Sequence, residues 1–94
     1  MHSVREYQFY YTYILQSLKT KKWYIGYTKD LRKRFAQHQN NLSTYTRGRG
    51  PFKLIYYESC LNAIDAKARE KYLKSGMGRR FIKNRLKNFF SLTE

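Results

Sequence analysis

Two runs rich in aromatic and β-branched residues constrain this chain most. Phe9 to Ser17 (FYYTYILQS) reads as a strand with Tyr11, Tyr13 and Leu15 on one face, because side chains alternate across a strand. Leu18 to Lys21 is a short polar connection, and Lys22 to Tyr27 (KWYIGY) reads as a second strand, which suggests an antiparallel hairpin. Gly26 weakens that strand unless backbone passes close by or adopts positive φ. A helix is expected next, with Thr28 or Asp30 as N-cap and Leu31, Phe35 and Leu42 at roughly helical spacing. Asn40 to Gly50 (NNLSTYTRGRG) reads as an exposed basic loop closed by Pro51, and Phe52 to Glu58 (FKLIYYE) as a third strand.

Asn62 is the expected N-cap of a further helix, with Asp65 completing an approximate capping box. Ala63, Ala66, Glu70, Leu73 and Met77 fall on one stripe of it, and Gly76 and Gly78 read as its end. Arg79 to Phe90 sets Phe81, Ile82, Leu86, Phe89 and Phe90 against Arg80, Lys83, Arg85 and Lys87, an amphipathic third helix. The expected order is β-β-α-β-α-α in one mixed α/β domain over residues 9–90, with an N-terminal extension (1–8) and a short tail (91–94). Tyr7, Tyr10, Tyr56, Tyr57 and Tyr72 read as packing residues.

At 94 residues the chain is shorter than one average domain of about 150, which excludes a multidomain enzyme, a TIM barrel and a double dinucleotide-binding unit. Cys60 is the single cysteine and His2 and His38 the only histidines, so neither an internal disulfide nor a zinc-finger spacing is available. Met1 to Gln8 carries Arg5 and Glu6 without an apolar signal core, and no apolar run is long enough to span a membrane; a reducing cytoplasmic setting is expected.

The 20 Lys and Arg against 6 Asp and Glu give a net charge of +14, and 18% aromatics separate the chain from a disordered basic tail. An anionic partner is the default expectation, and nucleic acid fits better than a membrane surface. Lys67, Arg69, Lys71, Lys74, Arg79, Arg80, Lys83, Arg85 and Lys87 crowd one stretch with a single acid, Glu70, and Arg47 and Arg49 lie in the loop. The bland alternative is a solvated helix face. Like charges three and four apart repel, however, and a phosphate backbone would relieve them.

Three constellations stand out. Glu70 shares the apolar stripe of Ala66, Leu73 and Met77, where a carboxylate needs a partner; an internal salt bridge and a divalent-metal ligand are both open readings. Arg34 and His38 are four apart and share a helix face, a common arrangement. Tyr13 and Tyr24 lie on the two hairpin strands, for which core packing is sufficient explanation.

Tyr13, the Tyr24-Ile25-Gly26 triplet, Arg34, His38 and Glu70, in that order and spacing, resemble the GIY-YIG endonuclease superfamily. The short single-domain bacterial members are most similar, and the nuclease domain of the excision-repair incision subunit is a relative. The first motif reads Tyr11-Thr12-Tyr13 here, so the Gly and Ile of the family name are missing. Many members also carry a polar residue after the glutamate helix, for which Asn84 is the nearest candidate. The resemblance implies a small three-stranded antiparallel sheet flanked by three helices, and divalent-metal-dependent cleavage of phosphodiesters in DNA, with RNA open as a substrate. It implies catalytic roles for Tyr13, Tyr24, Arg34, His38 and Glu70, with magnesium or manganese on Glu70. Gly26 would let backbone approach substrate, while Arg47, Arg49, Lys67, Arg69, Lys71, Lys74, Arg79, Arg80 and Lys83 would hold nucleic acid without reading bases. No membrane partner is implied, and a monomer and a weak homodimer are both open. The chain shows no separate specificity domain, so low sequence preference is expected. The competing readings are a nucleic-acid-binding module without turnover and a structural basic protein on RNA or the ribosome.

Overall fold

The computed structural model describes residues 7–93, so most of the expected extension, with His2, lies outside the described residues. The elements are β1 (Tyr10–Ser17), β2 (Trp23–Thr28), α1 (Leu31–Gln39), β3 (Phe52–Cys60), α2 (Ala63–Leu73), α3 (Gly76–Arg85) and α4 (Lys87–Thr93). The strands form one antiparallel sheet in the order β2-β1-β3, which leaves β2 at an edge. Among the described residues no helix is long and apolar enough to cross a membrane.

Alternation along the strands divides the core into two layers. Tyr13, Leu15, Tyr24 and Phe52 point to one face, where Leu31 and Phe35 of α1 pack on them. Ile14 and Ile25 point to the other, against Leu73 of α2 and Ile82 of α3. Ile14, Leu15 and Ile82 are fully buried, and burying each such side chain contributes about 1.5–3 kcal/mol. The second layer is fastened by the buried Thr12 hydroxyl, which donates to the Ala66 carbonyl at 2.7 Å.

The helix starts follow local chemistry. Asp30 accepts from the Lys33 amide at 3.1 Å, and Asn62 accepts from Ile64 and Asp65 amides at 2.8 and 3.3 Å. Thr28 instead stiffens the approach, its hydroxyl accepting from the Asp30 amide at 3.1 Å. Between Ile14 and Leu15 the pairing with β3 slips, from Tyr56 to Leu54. That bulge turns Ile55 and Tyr56 toward the same α2–α4 layer.

Four expectations are corrected. The helix begun at Asn62 stops at Leu73, and Ser75 caps a new helix by accepting from the Gly78 amide at 3.2 Å. Gly76 and Gly78 therefore open α3 rather than end α2, and Met77 leaves the buried stripe to stand 64% exposed. The basic C-terminal stretch is two helices, broken at Leu86, where the expectation was one. The loop before Pro51 is only partly exposed: Ser43 and Thr46 are buried within it, while Tyr45, Arg47 and Arg49 face outward. Tyr7 and Tyr57 are 65% and 53% exposed instead of packed.

Gly78 shows why this stretch turns where it does. A Cβ there would overlap the Tyr72 carbonyl and lie 2.5 Å from the Leu73 Cα, so α3 meets the end of α2 at backbone contact. Gly78→Ala should lower unfolding stability by about 1–3 kcal/mol through overpacking, read as a shift of the urea midpoint at constant slope; Gly76→Ala, where a Cβ meets nothing within 4 Å, should not.

Candidate active site

Tyr13 sits on the central strand directly opposite Gly26 of the edge strand. A Cβ on Gly26 would overlap the Tyr13 hydroxyl and Cζ and lie 2.9 Å from its Cε2. The missing side chain thus gives Tyr13 a passage across β2 toward the sheet edge. Gly26 lines the cleft there, and the room above its Cα is filled by the Tyr13 phenol.

Behind the phenol lies a buried relay. Tyr13 Oη and His38 Nε2 are 2.8 Å apart, and His38 Nδ1 is 2.6 Å from Thr46 Oγ1. The three residues are 3%, 1% and 0% exposed. Burial raises the Tyr13 phenol above its ordinary pKa near 10, with the nearby Arg34 guanidinium opposing. Burial, reinforced by the Arg34 charge, lowers His38 from 6.5 to about 4. Both groups are therefore neutral at neutral pH.

The cleft at the β2 edge gathers residues from both layers. Tyr13 and Arg34 reach it from the α1 side and Glu70 and Lys74 from α2, with Ile25, Tyr27 and Tyr45 completing the lining. Arg34 is held by Gln37 Oε1 at 3.0 Å and by Ser43 Oγ at 3.4 Å. Glu70 keeps a quarter of its side chain exposed and pairs with Lys74 Nζ at 3.1 Å. It is the only carboxylate lining this cleft, and among the described residues no group of three or more His, Cys, Asp and Glu could cage a metal. One hard oxygen donor at an open cleft suits magnesium, which keeps several waters and binds through one or two carboxylates plus substrate phosphate. It does not suit a closed zinc site.

Not every expected residue comes to this place. Tyr24 is buried, edge-on to Phe52 and Tyr45 with centroids 5.7 and 5.2 Å away, and does not line the cleft. Arg69 is engaged by Glu58 through two bonds, 2.8 and 3.1 Å, and its guanidinium lies over Tyr72. Lys67 rests over the Tyr27 ring, beside the cleft, and Arg79 over Trp23. Lys71, Arg80 and Lys83 are exposed on α2 and α3, while Arg47 and Arg49 flank the outer loop. Thr46, Tyr27 and Tyr45 are additions that sequence reasoning missed. Strand alternation from Ile25 points to Tyr27, whereas nothing local marks Thr46.

Comparison with known proteins adds four findings. The GIY-YIG catalytic domain model matches residues 9–87. A UPF0213 protein of Clostridium perfringens is 46% identical over 65 residues, 68% of this chain and 69% of its own. The UPF0213 protein YsiG of Lactococcus lactis is 39% identical over 80 residues, 84% and 76% of the two chains. The solution NMR structure of a UPF0213 protein from Bacillus halodurans is similar with a TM-score of 0.52 and 33% identity, covering 81% of this chain and 83% of that one.

The buried imidazole makes stability depend on pH. Unfolded, His38 takes up a proton near its ordinary 6.5; folded, it resists until about 4. The unfolded state binds more protons in that window, so stability is full above pH 6.5 and falls as pH drops toward 4, by at most roughly 3 kcal/mol. Urea unfolding at pH 7, 5.5 and 4.5 should show this loss, and His38→Gln should flatten it.

Proposed function

Because the chain belongs to the GIY-YIG catalytic domain family, we propose that it is a divalent-metal-dependent endonuclease that hydrolyses DNA phosphodiesters with little sequence preference. The observation that carries this reading is that Tyr13 of β1, Arg34 of α1 and Glu70 of α2 open onto one cleft. A structural basic protein would have no need of that convergence.

Glu70 would hold the magnesium or manganese ion, which when bound supplies positive charge against the phosphate and the leaving oxygen. Arg34 clamps the non-bridging oxygens with its planar fork of donors. Tyr13 takes the proton of the attacking water as it passes its own to His38 Nε2, so the relay starts from two neutral groups and needs no preformed phenolate. For Nε2 to accept, the His38 proton must sit on Nδ1, where Thr46 Oγ1 is placed to receive it. Thr46 is thus a positioning residue. As the water oxygen bonds to phosphorus the bond to the 3′-oxygen breaks; the departing alkoxide takes a proton from solvent water at the open cleft, and His38 returns its extra proton through Tyr13 to solvent, leaving a 5′-phosphate and a 3′-hydroxyl. Tyr24, in the same layer but off the cleft, supports Tyr45 and the core.

One observation favours a second reading, a binding module without turnover: Glu70 already has an ammonium partner in Lys74. Cleavage assays separate the two. Purified protein should nick labelled branched, single-stranded or duplex DNA with magnesium or manganese and stop in EDTA, with matched RNA run alongside. Tyr13→Phe should lose about 10²–10⁴ in rate and Arg34→Ala about 10²–10³, each with an unchanged circular dichroism spectrum. Absence of cleavage by the wild-type protein would overturn the enzyme reading, and cleavage unchanged in Glu70→Ala would point to a contaminant or a mechanism without Glu70. Thr46→Val should lower kcat at unchanged KM, and Thr46→Ser should restore it.

A further inference from the structure

A groove of about 550 Å³ lies between the hairpin tip and the C-terminal helices, lined by Lys21, Trp23, Arg79, Lys83, Lys87 and Phe90. Every charged group in it is positive. The two ion pairs among the described residues, Arg69–Glu58 and Lys74–Glu70, lie elsewhere, so the four cations have no carboxylate partner among the described residues. Four uncompensated charges around one groove repel each other, and an anion placed between them relieves that repulsion.

Two details show that the groove is built. Trp23 stacks on Phe90 with centroids 5.3 Å apart and planes 13° from parallel, while the Arg79 guanidinium sits 4.2 Å from the Trp23 centroid. The indole is thereby engaged as a rigid floor that fixes Arg79, rather than offered for stacking with a base. At the hairpin tip Lys21 has φ 68, the left-handed region, where a residue with a Cβ is disfavoured and glycine is at ease. The chain holds a cation at a position where backbone energy favours glycine, and the energetic exception points to a role for the charge.

The groove continues the cleft. Trp23 and Ile25 alternate onto the same face of β2, and Ile25 already lines the cleft. From Trp23 to Gly26 the strand rises about 10 Å, roughly three base steps at 3.4 Å per step. Since β2 is the sheet edge, one strand of a duplex can run along it and meet both places.

We propose that this groove holds the phosphate backbone of the nucleic-acid strand engaged by the cleft, about three nucleotides from the bond in the cleft. The proposal rests on the reading of the cleft as a nucleic-acid site. It names a second contact zone with its own residues, of which Lys21, Lys87 and Trp23 lie outside the cleft and outside the motifs of the family.

Trp23 is the sole tryptophan, so tryptophan emission, excited beyond the absorption of the ten tyrosines, reports on the groove. The full chain is titrated with unlabelled DNA oligonucleotides in EDTA, and binding is followed in parallel by anisotropy of a labelled oligonucleotide. Tryptophan emission should change and saturate in step with the anisotropy. The double variant Lys83→Ala/Lys87→Ala should reduce the slope of log affinity against log salt by about 1.5–2. Lys21→Gly should weaken binding while its melting temperature stays equal or rises, a combination that loss of structure cannot produce. Flat tryptophan emission while the oligonucleotide binds would overturn the proposal, as would an unchanged salt slope in the double variant. A response to anionic phosphatidylserine vesicles with none to oligonucleotide would overturn it in favour of a membrane surface. Turnover is absent in EDTA, so the two readings fail separately. Groove binding without cleavage in magnesium removes only the endonuclease; cleavage with a silent Trp23 removes only the groove.

Discussion

The architecture of the candidate site depends on one contact, the Tyr13 phenol lying over Gly26. Tyr13 is on the central strand, and a central-strand side chain normally ends in the layer it faces. Here the opposite residue on the edge strand has no side chain, so the phenol crosses over Gly26 within that layer and lines the cleft at the sheet edge. That crossing lets a residue of the α1 layer share a cleft with Glu70, which arrives on α2 from the opposite layer. A methyl group at position 26 would close the passage and separate the two halves of the site. The glycine is thus required by packing between strands, before any substrate is considered.

Electrostatics then divides the molecule into a neutral interior relay and a cationic rim. The Tyr13–His38–Thr46 chain is buried and uncharged, its phenol raised and its imidazole lowered by desolvation. In contrast, the acids near α2 are committed. Glu58 fixes Arg69 against the third strand, and Glu70 meets Lys74 at the cleft. The Glu58–Arg69 pair is partly buried and bidentate, the geometry in which an ion pair holds orientation rather than merely adding surface charge. Arg69 thereby serves the scaffold, and its neighbour Glu70 is left pointing at the cleft. Adjacent residues on one helix have been given opposite tasks by the 100° turn between them.

Much of this was legible from local chemistry. The strand order in sequence, the caps at Asp30 and Asn62, and the buried Ala66 and Leu73 all follow from alternation, capping and helical spacing, which act within a few residues. The errors occur where a distant partner decides. Ser75 begins a new helix just before glycines that read as a terminus, because Gly78 is chosen for contact with Tyr72 and Leu73 rather than for flexibility. Thr46 turns inward from a loop rich in Gly, Asn and Arg because His38 waits there, and no periodicity signals a single buried hydroxyl. Tyr13 and Tyr24 looked equivalent on the hairpin. The register separates them, setting Tyr13 opposite glycine and Tyr24 opposite Leu15, so that both are buried but only Tyr13 lines the cleft.

Edge strand β2 is the element through which these parts act together. An exposed sheet edge is ordinarily a liability, since its free backbone groups invite pairing with another chain. On this molecule the edge is bordered by cations, Lys74 at the cleft and Lys21, Arg79, Lys83 and Lys87 along the groove. Like charge repels a second copy of the same edge and attracts a polyanion. A domain of this size has little surface on which to build separate regions for protection and for binding. Concentrating both on one strand, with the Tyr13 phenol lying over Gly26 midway along it, sets the cationic groove and the cleft of Glu70 along a single edge.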